Sequence, residues 1–280
     1  MIVVVGESLI DVSPDGKEHV GGSPLNVAVG LARAEVPTLL LTEFGDDAYG
    51  ARIEAHLQDS GVLLEVAATA RTSSAWVVAT GPDPTYDLDV TWTLPGSILP
   101  ACDALHVGSL GTVVEPGRDS VLDLVEQAWA RDVFVSYDPN VRAPLLADPD
   151  QGRRDVEAIA GRAALVKLSE QDVALLWPGA DPGDIAGSLL DGESTRLVVL
   201  TRGPEGASAF TAEYRVDVPA PVVTVVDTVG AGDAFTAALL IHLYEDGSLS
   251  RGLPETVEGL ETLLSSAVQV AAACCTRAGA

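Results

Sequence analysis

The residues best placed to do chemistry lie in Asp227–Phe235, Asp-Thr-Val-Gly-Ala-Gly-Asp-Ala-Phe, with Val222–Val226 as an extended approach. Gly230-Ala231-Gly232 carries little steric bulk, so successive backbone amides can turn toward a ligand. A helix then begins near Gly232, and its start offers unpaired N–H groups and a positive dipole end. Together these features cradle an anion, above all a phosphoryl group in transit. Asp233 falls in the first helical turn beside this anion hole, where a carboxylate can accept the proton of an attacking hydroxyl. A bare glycine turn with a dipole-favoured acid is the competing account. The Asp-Thr pair in front and the Ala-rich helix behind favour chemistry. No GxxxxGK[ST] loop occurs in the chain, and Phe235 stands where a dinucleotide fingerprint needs its third glycine.

A second segment, Gly21–Ala32, reads GGSPLNVAVGLA. Ser23 suits a helix cap and Pro24 a first helical position. Asn26 then lies in the first turn, where its amide could meet sugar hydroxyls or simply serve the turn. Gly21-Gly22 supplies a flexible joint before the helix.

These segments need a scaffold, and the chain alternates short β-rich runs with amphipathic helical runs. Buried strands are expected at Ile2–Val5, Thr38–Leu41, Ala104–Val107, Val133–Tyr137, Leu165–Leu168 and Leu197–Thr201. Helices are expected at Pro24–Ala34, Asp47–Ser60, Gly117–Arg131, Gly152–Arg162, Glu170–Trp177 and Ile185–Leu190, then at about Gly232–Glu245 and Glu255–Thr276. The pattern is that of a doubly wound, mostly parallel α/β domain spanning residues 1–280. Two regions break the alternation. Ser8–Val20 turns at Pro14-Asp15-Gly16, and Ser74–Leu94 reads as a hairpin about Gly81-Pro82-Asp83-Pro84. Together, about residues 8–20 and 74–94, they could form a small sheet covering one end of the domain.

Composition narrows the function classes. The net charge is -25, with 41 acids against 16 bases, and the only lysines are Lys17 and Lys167. Such a surface repels nucleic acid and anionic membrane. A nucleotide site in this chain must rely on metal, backbone amides and a few local arginines. No run approaches the ~20 apolar residues of a membrane span, and the N-terminal apolar run lacks a basic leader, so the cytoplasm is the expected location. Cys102, Cys274 and Cys275 form neither a disulfide framework nor a zinc spacing, and the adjacent pair reads as buried small hydrophobes.

The pair GGSPLNVAVGLA and DTVGAGDAF closely resembles the two signatures of the ribokinase (PfkB) carbohydrate kinases, and the similarity runs from Met1 to Ala280. GESLIDV (Gly6–Val12), HVGSL (His106–Leu110), DPNVR (Asp138–Arg142), KLSEQD (Lys167–Asp172), LTRGPEG (Leu200–Gly206) and CTRAGA (Cys275–Ala280) look most like the bacterial fructokinase branch. The resemblance implies a ribokinase-like three-layer α/β/α sandwich of about nine strands with a β lid. It implies ATP-dependent phosphorylation of a primary sugar hydroxyl, with a ketohexose such as fructose first, Asp233 as base and the Gly230, Ala231 and Gly232 turn as anion hole. Asp11, Gly22, Asn26 and Arg142 would line the sugar pocket. Lys167, Ser169, Thr201, Gly203 and Gly206 would border the nucleotide. Magnesium would accompany ATP, and Asp227 with Arg277–Ala280 would hold potassium. A homodimer through the lid also fits the family.

Two departures stand out. The family often carries Asn-x-x-Glu near metal and phosphates, whereas Ser169-Glu170-Gln171-Asp172 stands here. Ser169 and Asp172 therefore either organise magnesium, through an intervening water, or close a helix capping box. After the hairpin, Thr91–Leu99 has no arginine, and Trp92 either stacks on the substrate or is buried. A 2-keto-3-deoxygluconate kinase using Arg142 or Arg71, a nucleoside kinase, and a catalytically silent sugar-binding regulator are the alternative readings.

Overall fold

The computed structural model describes residues 1–79, 85–146 and 148–277. Nine strands form the large sheet: β1 (Ile2–Val5), β4 (Thr38–Gly45), β5 (Leu63–Thr69), β8 (Ala104–Gly108), β9 (Phe134–Asp138), β10 (Leu165–Ser169), β11 (Leu197–Thr201), β12 (Ala207–Phe210) and β13 (Arg215–Val218). Their order is β13-β12-β11-β10-β9-β8-β1-β4-β5. All pairs from β11 to β5 are parallel, and β12 and β13 close one edge antiparallel.

Side-chain alternation explains why β1, at the centre of the sheet, is apolar throughout. Val3 and Val5 of β1 pack on one face, and Ile2 and Val4 on the other. The first face is covered by α3 (Gly117–Trp129), α4 (Pro149–Ala160), α5 (Glu170–Leu176) and α6 (Pro182–Leu190). The second carries α1 (Ser23–Arg33), α2 (Ala48–Asp59), α7 (Ala231–Glu245) and α9 (Val257–Cys274), with the short α8 (Ser248–Arg251) between the last two. Leu239, Leu240 and Leu243 of α7 are fully buried, on a helix enclosed by α1, α9 and the sheet.

The two irregular regions meet as expected. β2 (Leu9–Val12), β3 (Glu18–Gly21), β6 (Ser73–Ala79) and β7 (Thr85–Asp89) form a separate four-stranded sheet, in the order β3-β2-β6-β7. β2 and β6 run parallel, so the two hairpins join side by side. The turn at Gly81–Pro84 lies outside the described residues. Glu18 on β3 accepts from Tyr49 Oη at 2.7 Å and pairs with Arg52, tying the small sheet to α2.

Several expectations are corrected. β4 runs on to Gly45, β9 is displaced by one residue, and α4 and α6 each begin three residues early, where Asp148 and Asp181 cap them ahead of a proline. β5, β12, β13 and α8 were not anticipated. β5 is an edge strand with few buried side chains, so its sequence lacks the apolar run of a central strand. Val222–Val226, expected as an extended approach, forms no strand. The cysteines are free and only partly buried. Trp92 is buried, donating from Nε1 to the Gly111 carbonyl at 3.0 Å, so its role is packing.

Candidate active site

The carboxyl ends of the parallel strands, where open α/β sheets bind ligands, converge on the start of α7. Gly230 takes a left-handed φ of 76° as N-cap, turning the chain sharply into the helix. The Gly232 and Asp233 amides thus open the helix with no preceding turn to bond. The Ala231 N–H is already bonded to the Thr228 carbonyl at 3.2 Å, leaving Gly232 and Asp233 as the amides best placed for an anion.

Asp233 is 8% exposed and held from α1. Ser23 Oγ donates to Oδ1 at 2.6 Å, and Asn26 Nδ2 to Oδ2 at 2.8 Å. One sequence expectation changes here. Gly22 is the N-cap of α1 and Ser23 makes no cap bond, because its hydroxyl is turned to Asp233. Asn26 orients the carboxylate through one N–H of its side-chain amide. The signal for both was the spacing of Ser23 and Asn26, one turn apart on one helix face. Burial raises the Asp233 pKa; the bonds from Ser23 and Asn26 lower it, the nearby Asp138 charge raises it and Lys167 lowers it. The net direction is upward, which makes this carboxylate a stronger base than a free aspartate.

Asp11 lies on β2, opposite His19 of β3. Its pKa is pushed to about 6, chiefly by burial, with Arg142 lowering it and Asp233 raising it. The three residues therefore share one electrostatic neighbourhood. Arg142 Nη1 donates to Asn140 Oδ1 at 2.7 Å. Gly22 joins the small sheet to α1 with φ 111°.

Glu7, which sequence reasoning passed over, is 2% exposed and accepts from the Gly111 N–H at 3.0 Å. Burial pushes its pKa to about 7, against bonds from its own amide, Ser109 and Gly111 and the charge of Arg142. A carboxyl so raised keeps its proton in the folded state while the unfolded chain has lost it, so stability falls as pH rises from about 4.5 to 7. Glu7→Gln keeps the shape without the charge. It should flatten the stability–pH curve over that window and raise the melting temperature at pH 8. Parallel pH curves for parent and variant in thermal melts would refute the assignment.

Ser169 and Thr201 end β10 and β11 and are paired in register. Gly203 and Gly206 follow in the turn, at φ 52° and 99°. At Ser169 the capping alternative is realised. Ser169 Oγ accepts from the Asp172 N–H at 3.0 Å, and Asp172 Oδ2 accepts from Ser169 N and Oγ at 2.7 and 2.6 Å. Asp172 Oδ1 accepts from Val141 N at 2.7 Å, and the residue is 3% exposed. Three donors occupy this carboxylate, so direct magnesium ligation does not fit, and a contact through water would use the one acceptor position left on Oδ1. Lys167, on β10, pairs with Asp138 of β9 at 2.8 Å, both buried. Asp138 was not anticipated, although DPNVR begins with it.

Asp227 accepts from Val229 N at 3.0 Å, while Val226 N donates to Cys275 O at 2.8 Å, docking this loop on the end of α9. Arg277 is described; Ala278–Ala280, the rest of the expected potassium element, lie outside the described residues. Among the described residues no group of three or more His, Cys, Asp or Glu side chains is arranged to hold a metal ion.

The model of the pfkB family carbohydrate kinases matches residues 1–280. A fructokinase of Rhizobium leguminosarum bv. trifolii is 33% identical over 90% of this chain and 82% of its own length. Fructokinase-2 of Zea mays is 31% identical over 100% of this chain and 90% of its own. Among solved structures, Vibrio cholerae O395 fructokinase with fructose, ADP and calcium superposes with a TM-score of 0.85 at 27% identity, covering 99% of this chain and 93% of that one. Salmonella enterica aminoimidazole riboside kinase, with riboside and an ATP analogue, superposes at 0.81 with 25% identity, covering 99% and 94%. With both signatures meeting at Asp233 and the family model spanning the whole chain, this protein belongs to the pfkB family of carbohydrate kinases.

Proposed function

We propose that this enzyme transfers the γ-phosphoryl group of ATP to a primary hydroxyl of a ketohexose, with fructose the first substrate. The observation that carries the reading is the Asp233 carboxylate, fixed by Ser23 and Asn26 at the amide-rich start of α7. The sugar occupies the space between Asp11, Gly22, Arg142 and Asp233, beneath the small sheet, which acts as its lid. Asp233 takes the hydroxyl proton as the oxygen attacks in line. The Gly232 and Asp233 amides, with the Gly230 turn behind them, stabilise the moving phosphoryl group. Thr201, Gly203 and Gly206 border the nucleotide at the strand ends, and lid closure excludes water as a rival acceptor.

Magnesium bound with ATP would offset the charge of the phosphates. Asp172, engaged in its capping box, would reach such a metal only through an intervening water. Potassium beside Asp227 would order the turn that leads into the anion hole. The neighbouring fructokinase of Vibrio cholerae has been solved with fructose, ADP and a potassium ion.

Arg142 lowers the pKa of Asp11, which at about 6 is mostly ionised at neutral pH and so offsets the arginine's charge inside the pocket. That favours a neutral sugar over a sugar acid. No described helix is long and apolar enough to cross a membrane. The test is Mg-ATP turnover across free hexoses, 2-keto-3-deoxygluconate and nucleosides, in potassium and in tetramethylammonium at one ionic strength. Fructose should be the preferred acceptor, with faster turnover in potassium. Activity confined to sugar acids or nucleosides would overturn the substrate, and equal rates in the two cations would overturn the potassium site.

A further inference from the structure

A second set of buried polar side chains lies directly beneath the first turn of α7. In β10, Val166 and Leu168 face α3–α6 while Leu165 packs with α7 and α9. Alternation therefore puts Lys167 on the α7 side. The same rule puts Ser136 and Asp138 of β9 there, because Val135 and Tyr137 face the opposite way. His106, between Leu105 and Val107 on β8, joins them, its Nδ1 2.8 Å from Ser136 Oγ. A polar row thus crosses three adjacent strands of the sheet.

The row is connected to the anion hole at two points. Thr236, one turn after Asp233 on α7, donates from Oγ1 to Asp138 Oδ2 at 3.0 Å. Lys167 Nζ donates to the same oxygen at 2.8 Å, and a methyl group placed on Gly232 would stand 3.5 Å from that ammonium. Asp138 Oδ2 is thereby saturated, while Oδ1 is buried with no hydrogen-bond partner among the described residues. A buried ion pair with an unsatisfied oxygen is a poor source of stability, since well-packed apolar groups of similar volume do as well or better. Its placement one residue below the phosphoryl-binding amide is what gives it a use. The ammonium adds fixed positive charge under the place where negative charge develops. Asp138 keeps that ammonium charged and in place, and Thr236 ties the same carboxylate to the helix that carries the base.

We propose that Asp138 and Thr236 are positioning residues for phosphoryl transfer, holding the Lys167 ammonium beneath Gly232 and locking the first turn of α7, so that Asp233 and the positive charge face the phosphoryl group together. This rests on the kinase reading above. Neither side chain needs to touch the sugar, so their removal should lower kcat and spare the sugar KM.

The test uses the full chain as parent, Asp138→Asn, Thr236→Val and Thr236→Ser, with Mg-ATP and fructose. Asp138→Asn should lower kcat about tenfold or more, with the fructose KM within about twofold of the parent. Thr236→Val should give a smaller fall in the same direction, and Thr236→Ser, which restores the hydroxyl, should recover most of it. A second readout is titration of Mg-ADP with and without fluoroaluminate, a stand-in for the phosphoryl group in transit. The parent should bind Mg-ADP more tightly when fluoroaluminate is present. Asp138→Asn should lose that gain and keep its affinity for Mg-ADP alone. Unimpaired kcat in both Asp138→Asn and Thr236→Val, an intact fluoroaluminate gain, or Thr236→Ser no better than Thr236→Val would each overturn the proposal. Should Asp138→Asn fail to fold, the two Thr236 variants decide the matter. A parent inactive on every sugar would instead sink the kinase reading, and the fluoroaluminate titration would still judge the positioning role.

Discussion

Asp233→Asn should lower the turnover number by about 10²–10⁴, the usual contribution of a positioned general base. The variant keeps the size of the side chain and loses only its ability to take a proton. The surroundings can absorb the change. Ser23 Oγ can still donate to the amide oxygen, and Asn26, whose Nδ2 would now face a second amino group, can rotate its amide to present oxygen. Because burial disfavours the Asp233 charge, its removal should leave the melting temperature at pH 8 equal to or above the parent value. The dipole interaction lost from the first turn is worth only about 0.3–1 kcal/mol. Affinity for Mg-ATP should stay level or tighten as a negative charge leaves the phosphate site. Steady-state kinetics, nucleotide titration and a thermal melt on one preparation separate the cases. Full activity, or inactivity explained by unfolding, would remove Asp233 as the base.

Gly22→Ala should damage both stability and activity. Gly22 sits at φ 111°, and a Cβ there would lie 2.5 Å from the Glu7 carbonyl oxygen, a backbone atom that cannot swing aside. Strained backbone of this kind costs about 1–3 kcal/mol. At about 2–4 °C per kcal/mol for chains of roughly 150–250 residues, the melting temperature should fall by several degrees. The damage is also functional. Gly22 links β3 of the small sheet to α1, which carries Ser23 and Asn26, so relief of the overlap must move either the lid or the holders of the base. A raised fructose KM and a lower kcat should accompany the loss of stability. An unchanged melting temperature with unchanged kinetics would show that the joint tolerates a side chain.

Much of this architecture was legible in the chain because its central strands are buried on both faces and read as unbroken apolar runs. Ile2–Val5 and Leu197–Thr201 were located to the residue. β5, at the sheet edge, gave no such signal, since few of its side chains are buried. The two halves of the site were visible as motifs, but not how they engage. Ser23 has the residue type and position of a helix cap, and only tertiary contact shows its hydroxyl turned to Asp233 across 210 positions of sequence. Asp138 ends β9, where a charge ordinarily meets solvent, and Lys167 is a lone charge in the middle of β10. Their pairing depends on strand adjacency, which local periodicity does not encode. At Ser169-Glu170-Gln171-Asp172 both readings were open, and the deciding facts were the Val141 amide on Asp172 and the burial of its carboxylate.

The distance in sequence between Asn26 and Asp233 also orders events during translation. The groups that orient the base emerge early, and the base itself follows 207 residues later. At about 5–20 residues per second, roughly 10–40 s separate the two. Through that interval a growing chain can assemble β1, the first hairpin and α1, yet it has neither the proton acceptor nor the amides of α7. Unfinished chains on the ribosome therefore cannot spend ATP, and catalytic competence comes only after the late helix has docked against the early one.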